Sequence, residues 1–222
     1  MPDEHAVPAA PRPTVAVAGS RSRFPVRRIF CVGRNYPEHA REMGASDVRA
    51  PPFFFTKPAD AVIESGAVVP FPTRTENLHH EIELVVALGA GAGIFGYAVG
   101  NDLTRRDVQL NLKQAGKPWD TAKGFDHSAP ITPIAPVESI GHPSRARIWL
   151  EVNDTLRQNG DIADMIWAVP EIIAELSTWF ELASGDLIFT GTPAGVGPLQ
   201  PGDRVRGGVD GVGVLTHTMA AR

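Results

Sequence analysis

The segment Leu78-His-His-Glu-Ile-Glu-Leu-Val-Val86 sets carboxylates two residues apart at the head of a continuous apolar run. On a strand alternate side chains share a face, so His79, Glu81 and Glu83 point one way while His80, Ile82 and Leu84 point the other. Two carboxylates buried side by side repel, and one must take a proton unless a cation neutralises them. Asp102, at the end of a second apolar stretch, supplies a third oxygen ligand. Ligation by carboxylates alone suits a hard cation, Mg²⁺ ahead of Mn²⁺ or Ca²⁺, with open positions for water or substrate. An exposed acidic edge strand has the same spacing, so the pattern alone leaves both readings open.

His39 and Glu42 stand three apart in a short segment that starts at Pro37 and stops at Gly44. On a helix they share a face, where the carboxylate can orient the imidazole to activate a water; an incidental pair on a solvated helix is the plainer alternative. Lys123 is read as lying in a loop between Trp119 and Phe125, where partial burial would lower its pKa. Gly91-Ala-Gly-Ile-Phe-Gly96 matches a dinucleotide fingerprint by spacing, but no helix follows to receive a pyrophosphate. Gly191-Thr-Pro-Ala-Gly-Val-Gly197 lacks a phosphate-loop lysine and reads as a loop whose N–H groups and Thr192 hydroxyl could hold a carboxylate. No G-x-S-x-G elbow is present, so serine hydrolase chemistry has no support.

These residues need elements to hold them. Arg28–Val32, Leu78–Leu88, Gly96–Asp102, Trp149–Asn153, Asp186–Thr190 and Val212–Thr218 read as strands, Leu103–Gly116 and Val169–Leu182 as helices. Eighteen residues without charge separate Glu83 from Asp102, but five glycines divide them, which indicates two buried strands and a turn rather than a membrane span. Short, unevenly spaced strands with few helices give a β-rich α+β fold. Residues 1–23 are expected to form a loosely packed arm, 24–222 one catalytic domain, and 36–50 a mobile lid with little apolar face of its own. A length of 222 residues and 43% hydrophobic content allow a substantial core, and a net charge of −4 without a basic stripe argues against nucleic acid. The N-terminus has no apolar stretch like that of a secretory signal, and a single cysteine, Cys31, excludes an internal disulfide and fits the cytoplasm.

Taken together, Val32-Gly-Arg-Asn-Tyr36 with His39 and Glu42, Phe55-Thr-Lys-Pro58, His79-His-Glu-Ile-Glu83, Asn101-Asp-Leu-Thr104 with Arg106 to Gln109, Trp119 to Lys123, and Thr190-Gly-Thr-Pro-Ala-Gly-Val-Gly197 resemble the fumarylacetoacetate hydrolase family. The stretches Phe24–Arg34 and Phe53–Asp60 look most like its fumarylpyruvate hydrolases, with acylpyruvases close by. The resemblance implies a mixed β-roll, usually a homodimer, with a divalent metal on Glu81, Glu83 and Asp102. It implies a water-activating dyad of His39 and Glu42 on the lid, and an active-site lysine at Lys123. It places Arg34, Lys57, Arg106, Gln109 and Thr192 near the substrate.

The activity implied is metal-dependent hydrolysis of a carbon–carbon bond in a 2,4-dioxo acid, foremost fumarylpyruvate, as in gentisate catabolism. Isomerisation or decarboxylation of a 2-oxo acid on the same site is the alternative within the family, and a non-catalytic binding protein the alternative outside it. A fumaryl group carries a second carboxylate that needs a cation, for which Arg34, Lys57 and Arg106 are the candidates. One departure stands out. Where relatives carry a longer segment with a short helix between the Glu-x-Glu strand and the strand of the metal aspartate, this chain has only Gly89–Gly93.

Overall fold

The computed structural model describes residues 6–42, 44 and 49–221. Along the chain, a hairpin of β1 (Thr14–Ala16) and β2 (Arg23–Pro25) leads into β3 (Arg28–Gly33), helix α1 (Pro37–Glu42) and β4 (Phe53–Lys57). Two short strands, β5 (Val62–Glu64) and β6 (Val68–Val69), precede β7 (Leu78–His80), β8 (Ile82–Leu88), β9 (Ile94–Asn101) and β10 (Thr104–Arg105). Helices α2 (Arg106–Gln114) and α3 (Asp120–Lys123) come next, then β11 (Ala129–Ile131), β12 (Ala135–Pro136) and α4 (Val137–Ile140). The last third holds β13 (Arg147–Val152), β14 (Thr155–Asp161), α5 (Val169–Trp179), β15 (Asp186–Phe189), β16 (Gly197–Leu199), β17 (Arg204–Val209) and β18 (Gly213–Met219). The strand expected over Leu78–Leu88 is broken at Glu81, which falls between β7 and β8.

An eight-stranded mixed sheet runs β4-β3-β15-β8-β9-β11-β5, with β12 also on β9. A five-stranded sheet in the order β14-β13-β17-β18-β6 supplies the second layer. Burial on both faces explains why β8 is apolar at every residue after Glu83. Leu84, Val86 and Leu88 join Ile148, Leu150, Leu215 and the Val169, Ile172 and Leu176 stripe of α5 in one core. Val85 and Ala87 face a second core with Ile29, Cys31, Ala98 and Phe189. A strand covered on both faces needs no polar alternation. Glu81 and Glu83 share parity with Val85, so they lie on the face of the second core.

The expected loose arm is corrected from residue 14 onward. β1 and β2 pair in register Val15↔Phe24, and Val15, Val17 and Phe24 are buried in the second core. Helix α5 stops at Trp179 rather than Leu182, because Phe180 is extended and turns the chain toward Leu182, which packs on the first core. The shortened β8–β9 connection is a single turn over Ala90–Ala92, in which Gly91 at φ 61° supplies the left-handed residue.

Close packing beneath the site is visible at Gly100, opposite Glu83 on β9. A Cβ there would fall 2.4 Å from the Phe189 ring and 2.8 Å from Val85. Gly100→Ala is therefore expected to destabilise the protein by about 3 kcal/mol, read from its urea midpoint, since neither neighbour can yield without moving the sheet.

Candidate metal centre and active site

The end of β8 and the end of β9 bring the acidic residues together. Ile82 pairs with Asn101, and the Asp102 N–H donates to the Glu81 carbonyl at 2.8 Å. One carboxylate oxygen from each of Glu81, Glu83 and Asp102 lies within 4.8 Å of the others, all three residues being buried. The short β8–β9 turn therefore leaves the triad convergent.

The charges around the triad show what it lacks. Burial, followed by the Asp102 and Glu81 charges, pushes the Glu83 carboxyl well above its ordinary range, although its Oε2 accepts the Gly191 N–H at 2.7 Å. Burial also opposes the Glu81 anion, but the Lys123 ammonium and the Arg106 guanidinium outweigh it and hold Glu81 well below the usual carboxylate range. Lys123 Nζ donates to Glu81 Oε2 at 2.8 Å and Asp102 Oδ2 at 2.6 Å. Asp102 Oδ1 receives no hydrogen bond; Lys57 Nζ lies 2.8 Å away as an ion pair only. A buried trio with one carboxyl forced toward protonation and one Asp102 oxygen met by an ammonium without a hydrogen bond fits a divalent cation with oxygen ligands.

Lys123 differs from its sequence reading. It ends the one-turn helix α3 rather than sitting in a loop, its Nζ lies 4.9 Å from the Phe55 ring centroid, and its pKa is raised. Burial disfavours the ammonium, and the Asp102 and Glu81 charges more than compensate. Lys57 differs as well. It is buried behind Asp102 and donates to the carbonyls of Leu103, at 3.2 Å, and Lys123, so it supports the metal ligands from outside the cavity.

The cavity in front of the triad is bordered by Arg34, His39, Phe55, Glu81, Glu83, Arg106, Gln109, Trp119, Lys123 and Thr192. Arg106 pairs with Glu81 and Gln109 and reaches His79 at 3.3 Å. Thr192 has its hydroxyl committed, donating to the Ile82 carbonyl and accepting from Gln158, both at 2.8 Å. The loop after β15 thus does hold a carboxylate by its backbone, but it is that of Glu83.

Helix α1 closes one side. His39 and Ala40 are buried, as is Tyr36 just before it, so the segment is better anchored than its polar sequence suggests; Met43 and residues 45–48 of the expected lid lie outside the described residues. His39 Nδ1 is 3.0 Å from Glu42 Oε2, and that hydrogen bond keeps Glu42 ionised to below its usual range. In the tautomer that donates Nδ1–H to the carboxylate, Nε2 is the nitrogen that can accept a proton.

Sequence reading missed the buried amides that fix these elements. Gln158 on β14 accepts from the Ile82 N–H at 3.1 Å and donates to Thr192 and to the Pro193 carbonyl at 2.8 Å. Asn101 accepts the Glu81 N–H at 2.8 Å and lies 2.9 Å from His217 Nε2. Only the oddity of an amide in a strand could have flagged them. Burial depresses the His217 pKa to about 4 from 6.5, so the unfolded chain binds the extra proton between those values. Stability is then full above pH 6.5 and falls by about 3 kcal/mol as pH drops toward 4. Urea midpoints of wild type and His217→Gln between pH 7 and pH 4.5 should show a shallower loss in the variant.

Residues 28–220 match the family model for the C-terminal domain of fumarylacetoacetate (FAA) hydrolase. The Mus musculus mitochondrial oxaloacetate tautomerase FAHD1 is 44% identical, over 84% of this chain and 88% of the relative. The Escherichia coli oxaloacetate tautomerase YcgM is 40% identical, over 90% and 96%. A crystal structure of fumarylpyruvate hydrolase from Pseudomonas aeruginosa in complex with Mn²⁺ and pyruvate superposes with a TM-score of 0.96 at 45% identity, covering 99% of this chain and all of that one. With the β-roll, the acidic triad and the sequence match in agreement, this chain is a member of the fumarylacetoacetate hydrolase family.

Proposed function

We propose that the protein hydrolyses the C3–C4 bond of a 2,4-dioxo acid, foremost fumarylpyruvate, giving fumarate and pyruvate with Mg²⁺ as its native cation. The observation that carries this reading is the His39–Glu42 pair, which borders the same cavity as Glu81, Glu83 and Lys123. Proton abstraction from water needs a base with a free lone pair and a fixed orientation, and His39 Nε2 has both.

Glu81, Glu83 and Asp102 would hold the cation, which when bound supplies Lewis-acid polarisation to the carboxylate and 2-oxo group of the substrate. His39 takes a proton from water as its oxygen attacks C4, and Glu42 stabilises the imidazolium that forms. The C3–C4 bond breaks with its electron pair left on the pyruvyl half, C3 takes back the proton held by His39 to give pyruvate, and the acyl half, now carrying the water oxygen, leaves as fumarate. Lys123 Nζ, already a charge-assisted donor in this cavity, stabilises the negative charge that develops on the pyruvyl half. Arg106 and Gln109 line the same cavity.

Keto–enol tautomerisation of oxaloacetate is the second reading, favoured by the names of the 44% and 40% identical relatives. Tautomerisation moves a proton at C3 and breaks no carbon–carbon bond. The test follows the ultraviolet enol absorbance of fumarylpyruvate and of oxaloacetate, with Mg²⁺ and with EDTA, and quantifies products. Metal-dependent release of equimolar pyruvate and fumarate supports the hydrolase. Enol loss from oxaloacetate without cleavage of fumarylpyruvate would replace it with the tautomerase.

A further inference from the structure

If the substrate is a 2,4-dioxo acid with an acidic acyl chain, its distal carboxylate needs a cation at the outer end of the cavity. The sequence offers Arg34, Lys57 and Arg106, and the fold separates them. Lys57 is buried behind Asp102 and donates to two carbonyls. Arg106 is committed to Glu81, Gln109 and His79. Arg34 is exposed, borders the cavity together with Lys113 of α2, and, unlike Lys57 and Arg106, has no hydrogen bond or ion pair among the described residues.

Arg34 is also held where it is at a cost. Its φ is 59°, the left-handed region that a residue with a Cβ adopts reluctantly. The neighbouring Asn35 enforces this. It is fully buried, its Nδ2 donates to the carbonyls of Trp167 at 3.0 Å and Thr190 at 2.8 Å, and its Oδ1 and backbone carbonyl accept the Trp167 and Ile166 N–H groups at 2.8 Å. Four hydrogen bonds fix the turn, and the side chain one residue earlier is thereby set at the cavity mouth. An observed backbone outlier of this kind, with no packing role, marks a place where geometry serves a ligand.

The rest of the mouth is flat and aromatic. Phe53 and Trp119 stack edge-on with centroids 4.9 Å apart, and Phe55 lies 5.9 Å from Trp119. The Phe53 ring packs across Gly33, so close that a Cβ there would be 2.8 Å from it, and it remains 46% exposed. The touching rings leave no slot between them but form an apolar surface beside residue 34 along which a planar, conjugated acyl chain can pack.

From these observations we infer that Arg34 is the specificity residue for the acyl half, binding the distal carboxylate of an unsaturated dicarboxylic acylpyruvate through its planar fork. This rests on the hydrolase reading for the reaction but not for the binding. A guanidinium forms two parallel charge-assisted bonds to a carboxylate, which an ammonium cannot match.

The test compares fumarylpyruvate with acetylpyruvate, which lacks the distal carboxylate, in metal-loaded wild type, Arg34→Gln, Arg34→Gly and Arg34→Lys. Arg34→Gln should raise KM for fumarylpyruvate about 10–100-fold, with a much smaller change for acetylpyruvate, so the ratio of kcat/KM values collapses. Arg34→Gly removes the backbone cost and should show the same collapse without a fall in Tm, which separates lost recognition from lost folding. Arg34→Lys should recover part of the ratio. An unchanged ratio in both the Gln and Gly variants, or a collapse produced by Lys113→Gln instead, would overturn the assignment. If wild type cleaves neither acid, the hydrolase reading fails on its own, and calorimetric Kd values of the two uncleaved acids read the same ratio.

Discussion

Replacing His39 with alanine is expected to lower kcat for carbon–carbon cleavage by about 10²–10⁴-fold, the span that a positioned general base contributes. The imidazole is buried on α1, and its Nδ1 is fixed 3.0 Å from Glu42. Truncation removes the imidazole that α1 contributes to the cavity, while Glu81, Glu83 and Asp102 stay in place. Binding of the pyruvyl end should therefore change little, and the loss should fall on kcat rather than KM. Glu42→Gln keeps a hydrogen-bond acceptor for Nδ1–H but loses the charge that stabilises the imidazolium, so its loss should be smaller. The decisive measurement is paired. Steady-state cleavage of fumarylpyruvate and enol loss from oxaloacetate are followed in the same variant; a His39→Ala protein that cleaves at the wild-type rate sinks the hydrolase mechanism.

Lys123→Met should have two large effects that a single measurement would confuse. In the metal-free protein Lys123 Nζ is the counter-ion of both Glu81 and Asp102, at 2.8 and 2.6 Å, and all three groups are buried. Arg106 stays on Glu81 and Lys57 on Asp102, so removing Lys123 leaves the buried charge only partly compensated and costs about 3 kcal/mol, the low end for a broken buried pair. For a chain of this size that corresponds to a fall in Tm of about 10 °C. A divalent cation restores the missing positive charge, so Mn²⁺ or Mg²⁺ should raise the Tm of the variant more than that of wild type. Catalysis should drop about 10²–10³-fold even with metal present, because the donor to the developing negative charge is gone. Equal metal-induced shifts in the two proteins would show that Lys123 does not compensate the triad.

How much of this was legible in the residues follows from range. The triad was readable because Glu81 and Glu83 lie two apart at the start of β8 and Asp102 follows the end of β9, so local spacing and one hairpin suffice to join them. His39 and Glu42 were readable from three-residue spacing. The depth of the N-terminal strand was not, because the core that covers Val15 and Val17 includes Ala129, Ile131, Leu187 and Phe189, which lie far along the chain. The direction of the Lys123 shift failed for the same reason: its two carboxylate partners come from β8 and β9, and burial alone would have lowered its pKa. Lys57 could not be separated from Arg34 by type, since only the fold puts one behind Asp102 and the other at the mouth.

Strand β15 carries a consequence for how the molecule comes into being. It lies between β3 and β8 in the large sheet, so residues 186–189 insert between segments made far earlier, and Gly191 just beyond them holds Glu83. A nascent chain released only as far as α5 would expose both flanking edges, with neither the central seam nor the amide that fixes the glutamate. Pairings of such long sequence separation form slowly, because loop closure must be met before the contacts that reward it. The metal centre is therefore a late product of folding, assembled only after the ribosome has delivered the last third of the chain, and until then the unpaired edges of β3 and β8 are the surfaces a chaperone would have to shield.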